Sequence, residues 1–197
     1  MLFCLLGLVF LLIKTLGFGS RTYFSRPDGS EKKGIWYAFT SGMMPWVKES
    51  AKKHLPTYIT GVLFHVGIFT AMLFLVIKIL AIGYPDWILT PIRILFIVSI
   101  SAGIGLLIKR MVKPEMTVIS CVDDYISNLT VTAFILGALA ATFTDSLLFL
   151  FYLIAIGMFL YIPLGKIRHC FFFFYTRILF GRFFGRRGIF PRKSVKT

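Results

Sequence analysis

The stretch TYITGVLFHVGIFTAMLFLVIKILAI (57–82) holds one lysine, one histidine and a run of aliphatic and aromatic residues around them. As a helix rising 1.5 Å per residue it is about 39 Å long, enough to cross a hydrocarbon core of about 30 Å. It therefore reads as a bilayer span, and it sets the class of the chain. Four more apolar runs of similar character occupy 2–19, 88–108, 125–143 and 147 into the 170s. The composition agrees: 57% of residues are hydrophobic, 15% are charged, and the mean hydropathy is +0.84. Such a chain is too apolar to be solvated as a globular domain. The expected fold is an all-α integral membrane protein, a five-transmembrane-helix bundle over 1–180 with a basic tail at 181–197. No second, soluble domain is expected within these 197 residues.

The formal charge of +14 raises the question of nucleic acid. The basic residues, however, lie between and after the apolar runs, as positive-inside topology requires, so no nucleic-acid partner is expected. Arg21, Arg26, Lys32, Lys33, Lys48, Lys52 and Lys53 fill the long polar stretch after the first run. Lys109, Arg110 and Lys113 follow the third, and Arg177, Arg182, Arg186, Arg187, Arg192 and Lys193 close the chain. The turns GYPDW (83–87) and TDS (144–146) carry acids and no lysine or arginine. One orientation satisfies every loop: a multi-pass protein of the cytoplasmic membrane, N-terminus outside, C-terminus cytoplasmic. The first run lacks a basic leading region and carries Lys14, so it reads as a retained helix rather than a signal peptide.

Local signals mark two helix edges. Ser120, with Asp123 three residues later, reads as a capping box opening the fourth span, so Asp123 and Asp124 are expected as caps rather than proton carriers. Pro163 lies inside the fifth apolar run and is expected to kink it. Cys4, Cys121 and Cys170 are far apart and show none of the spacings of iron–sulfur or covalently attached haem sites.

Only three histidines occur. His54 stands at a span boundary, where a headgroup-facing ring is ordinary. His65 lies well inside the second span, and His169 near the inner end of the fifth. A polar ring inside a membrane is costly and marks a candidate site. Two imidazoles on antiparallel helices are what a bis-histidine haem b needs. Gly61 and Gly165 each precede a histidine by four residues, a spacing that shares a helix face and leaves space for a flat macrocycle. The alternative, a histidine bonded to a neighbouring helix beside a packing glycine, remains open at this point.

Three blocks in order, LFHVGIF (63–69), GLLIKRMVKPEMTVISCVDDYISNL (105–129) and YIPLGKIRHCFFFF (161–174), resemble the nitrate reductase gamma-subunit-like cytochromes b. This family includes the membrane subunits of heterodisulfide reductases. The resemblance spans essentially the whole chain. It implies a five-helix bundle binding haem b that exchanges electrons between a membrane quinone, or a methanophenazine-like carrier, and a cytoplasmic iron–sulfur subunit of a heterodisulfide-reductase-like or nitrate-reductase-like complex. His65 and His169 stand where the family ligates the haem iron nearer the cytoplasmic partner.

Many members hold a second haem through further histidines in the outer halves of the second and fifth spans. TAMLFLVIKIL (70–80) and SLLFLFYLIAIGMFL (146–160) contain none, so one haem b is expected. Arg168, with Lys166, Arg110 and Arg177, is a candidate for pairing with haem propionates, and Lys78 for an outer carrier contact. No residue is expected to be catalytic, and the chain alone would be an electron carrier. A haem-free membrane anchor for a soluble iron–sulfur oxidoreductase is the competing reading.

Overall fold

The computed structural model describes residues 1–18, 24, 26–47 and 49–190, and among them every regular element is helical. Nine α-helices follow one another: α1 (Leu2–Leu16), α2 (Glu31–Phe39), α3 (Glu49–Lys53), α4 (Leu55–Ile79), α5 (Leu89–Val112), α6 (Pro114–Val118), α7 (Val122–Ala141), α8 (Leu148–Tyr161) and α9 (His169–Arg186). Short 3-10 turns lead into α5, α8 and α9, and one follows α2.

Among the described residues, three elements are long and apolar enough to cross a membrane: Leu55–Ile79, Asp86–Val112 and Val122–Ala141, of 25, 27 and 20 residues. A fourth crossing arises if α8 and α9 count together as one broken span. The chain thus has the helices of a multi-pass membrane protein. α1, with 15 residues, is about 22 Å long, shorter than the hydrocarbon core.

The break in the fifth apolar run falls at Pro163. Proline has no N–H to donate and clashes with the preceding turn. α8 accordingly ends at Tyr161, and the freed groups are bonded locally. Ile162 N–H donates to Met158 O at 2.9 Å, and Leu164 and Gly165 N–H donate to Tyr161 O at 3.0 and 2.9 Å. The expected kink is thus a full interruption.

The chain forms two compact units, Met1–Leu5 with Pro56–Ile167, and Leu6–Leu55 with Arg168–Thr197. The first has an aromatic centre. Phe96, Phe134 and Phe151 are fully buried, with ring centroids 5.4 Å apart for Phe134–Phe151 and 6.1 Å for Phe74–Phe151. Lipid tails are as apolar as these rings, so their contribution is packing rather than escape from water. Small residues let the backbones approach. Gly67 faces buried Ser99, whose hydroxyl donates to Leu63 O at 3.0 Å. Gly103 lies under the Phe64 ring, and its carbonyl accepts from Asn128 Nδ2 at 3.2 Å.

In the second unit α2 lies on α9, backbone against backbone where their glycines meet. Gly34 meets the backbone of Gly181 and Gly185, and a Cβ on Gly185 would stand 2.6 Å from Ser30 O. The contact extends past the end of α9. Asp28 and Gly29 N–H both donate to Arg186 O at 2.9 Å. Gly188 takes φ +69°, and Ile189 N–H reaches back to Phe184 O at 3.1 Å, the bonding of a Schellman end. Residues 181–190 of the expected tail are therefore α9 and its cap. Arg192 and Lys193, like Arg21 and Lys48, lie outside the described residues.

Candidate functional site

His65 lies near the middle of α4, in the first unit, with its side chain exposed. Its Nδ1 is 2.7 Å from Gly61 O. A carbonyl oxygen only accepts, so Nδ1–H donates this bond, and in a neutral ring the lone pair is on Nε2. Phe64 and Phe69 flank the ring at centroid distances of 6.4 and 6.5 Å. Beside it the helix surface is open: a Cβ on Gly61 would meet nothing within 4 Å.

His169 is the first residue of α9, in the second unit, and is exposed, as is Arg168 before it. The two histidines thus stand on separate units, one within a continuous helix and one at a helix start. Gly165 departs from the geometry its spacing implied. The chain is not helical there, so Gly165 and His169 share no helix face. Nor is there open space, because a Cβ on Gly165 would fall within 2.6 Å of the Tyr161 hydroxyl. His54, in the turn between α3 and α4, is exposed.

Around Tyr161 lies a polar cluster whose members are far apart in the sequence. Tyr161 OH donates to Asp123 Oδ1 and lies 3.4 Å from Ser127 Oγ. Asp124, with its side chain 11% exposed, binds Arg110 Nη1 at 3.0 Å and Lys166 Nζ at 2.5 Å. Arg110 Nη1 also donates to Ser120 Oγ at 3.1 Å. Arg110 and Lys166, two of the candidates for propionate pairing, therefore share one carboxylate. The cluster ties the end of α5, the start of α7 and the turn before α9.

The capping box exists one residue later than expected. Cys121 is the N-cap and Asp124 the N3 residue, with Cys121 N–H donating to Asp124 Oδ2 at 2.9 Å. Asp123 is thereby released to meet Tyr161. The visible signal was the double acid at a helix start, facing KR at 109–110 and the lysine at 166 across the sequence.

At the other end of these helices Lys78, the candidate outer contact, pairs with Asp145 at 3.0 Å and lies 5.4 Å from the Tyr84 ring centroid. Arg93 sits over Phe143 at 4.3 Å. Its Nε donates to Thr142 Oγ1 at 3.0 Å and its Nη2 to the Thr142 carbonyl. A cation at the C-terminal end of α7 complements that helix's dipole.

Compared with protein families, with curated proteins and with solved structures, the chain matches none of them.

Proposed function

We propose that the chain is a membrane cytochrome b subunit for one haem b, whose iron His65 and His169 would hold. In this reading it passes electrons between a lipophilic carrier, menaquinone or a methanophenazine-like molecule, and an iron–sulfur subunit of a heterodisulfide-reductase-like or nitrate-reductase-like complex. The reading takes five crossings, counting α1 and the broken α8–α9 pair, with the C-terminus and the partner on the cytoplasmic side.

The observation that carries it is the bond from His65 Nδ1–H to Gly61 O. A ligating imidazole needs its second nitrogen fixed, because that bond selects the tautomer and aims the lone pair. Here the helix's own carbonyl holds the proton on Nδ1, and Gly61 keeps the neighbouring surface clear of a side chain. A histidine placed in an apolar span without such a purpose is costly. These residues therefore fit one side of a haem. His169 enters as the second ligand from its place in YIPLGKIRHCFFFF, and Arg168 beside it as a propionate partner. Haem would supply one-electron chemistry. The protein's share is to hold the group, orient the imidazole and exclude water.

The test is a reduced-minus-oxidised spectrum of the purified complex with haem quantified per copy of the chain. One haem b in the parent, lost in His65→Ala and in His169→Ala, is the expected result. No haem attributable to this chain would leave the plain membrane anchor, and two haems would require a ligand outside this pair.

A further inference from the structure

The outward side of α2 carries a cationic and aromatic surface. This helix begins with Ser30 as N-cap, whose hydroxyl accepts from Lys33 N–H at 3.4 Å. Its inner side is fully committed: Gly34 and Ala38 are buried, and Gly34 stands against the backbone of α9. Its one acid is committed too, since Glu31 faces Arg182 at 3.2 Å and Arg186 at 3.8 Å. What remains outward is cationic and aromatic. Lys32, Lys33, Trp36, Tyr37, Thr40 and Ser41 line an open cleft of about 380 Å³ that contains no carboxylate.

Its parts are held in place. Tyr37 stacks on Phe190 at 5.1 Å with the planes 8° apart. Gly42 lets the following 3-10 turn close on Tyr37, since a Cβ there would come within 2.9 Å of Tyr37 O. Thr40 Oγ1 donates to Trp36 O at 2.7 Å. Trp36, by contrast, is 73% exposed. An indole left in water gives up a large apolar area, whereas at the headgroup level of a bilayer its ring meets glycerol and acyl chain while its N–H stays wet. Lysines beside it extend their apolar stems along the same surface and place their charges at the phosphates.

We propose that this face of α2 is a binding site for the phosphate group of an anionic phospholipid, with Lys32 and Lys33 as the charged contacts and Trp36 as the interfacial anchor. The long apolar helices of the same chain supply the bilayer. A partner protein fits less well, because lysine is depleted at protein interfaces. Free phosphate would use the two lysines but leave the Trp36 ring in water. The inference needs the membrane and not haem, so it stands apart from the electron-transfer reading.

The experiment uses the full chain in phosphatidylcholine nanodiscs. Trp46→Phe and Trp87→Phe leave Trp36 as the one indole among the chain's three tryptophans. Trp36 fluorescence is then titrated with brominated phosphatidylglycerol or brominated phosphatidylcholine. Each lysine near an anionic surface confers roughly a five-fold preference. Half-quenching is therefore expected at about a twenty-five-fold lower fraction of the glycerol lipid. Lys32→Gln with Lys33→Gln should bring the two curves together. Lys113→Gln, at the start of α6 and outside the cleft, should leave them apart. Equal quenching in the parent, a preference that survives the double substitution, or no quenching by either lipid would overturn the proposal. Loss of the preference on adding millimolar inorganic phosphate would overturn the lipid as its source.

Discussion

Around Gly61, α4 runs unbroken to His65, and the glycine opens onto empty surface beside the ring. Around Gly165 the chain has left α8 and not yet entered α9, and the glycine closes onto the Tyr161 ring. Both stand four residues before a histidine, yet one glycine clears space and the other is filled. The difference teaches that a four-residue spacing means a shared face only where the helix between the two residues is continuous. At Gly165 the absent side chain serves a turn, letting Tyr161 reach Asp123 and Lys166 reach Asp124.

The contrast is most sharply tested by Gly165→Leu. Overpacking of this kind costs about 1–3 kcal/mol, and Tyr161 would have to leave Asp123. The thermal midpoint of the purified chain should fall, and pairing the change with Tyr161→Ala should recover part of the loss, the sign of direct coupling. Independent, additive losses would mean that the ring is not what fills the space.

A smaller effect is expected from Asp124→Asn. It removes the carboxylate shared by Arg110 and Lys166 and weakens the cap of α7. Lys166 is 46% exposed, so water discounts that pair, and a loss of about 1–2 kcal/mol in denaturant unfolding is expected. Raising the salt should narrow the gap between parent and variant. A gap indifferent to salt would assign the loss to the cap alone.

The smallest change, and one of opposite sign, is Gly61→Ala. Alanine replaces glycine inside a helix with nothing to strike, so haem-free protein should gain about 0.5–1 kcal/mol in the same assay. A destabilised variant would show that the surface beside His65 is occupied, and the comparison with Gly165 would lose its basis.

The long apolar runs were legible because hydrocarbon thickness imposes a length that any sequence shows directly. So was a disturbance at Pro163, since a missing N–H is written in the residue itself, although the expected kink is in fact a full break between α8 and α9. The register of the capping box was not. Asp123 and Asp124 are adjacent, and the one that does not cap is bonded to Tyr161, 38 residues away from Asp123. The seat of α2 on α9 was hidden for another reason. Hydrophobic periodicity reports side chains, and this contact is made by their absence at Gly34, Gly181 and Gly185. At the candidate site the sequence showed the two histidines in apolar surroundings. It did not show that one of the two neighbouring glycines belongs to a turn.

The glycine seam between α2 and α9 also has a consequence in time. Glu31 and Arg182, which bond across it, are 151 residues apart, with all of Pro56–Ile167 intervening. A ribosome adding about 5–20 residues per second completes α9 on the order of ten seconds after α2 has emerged. The segment Pro56–Ile167, which makes up most of the first unit, can therefore assemble during synthesis, while the second unit, which joins Leu6–Leu55 to Arg168–Thr197, closes after it.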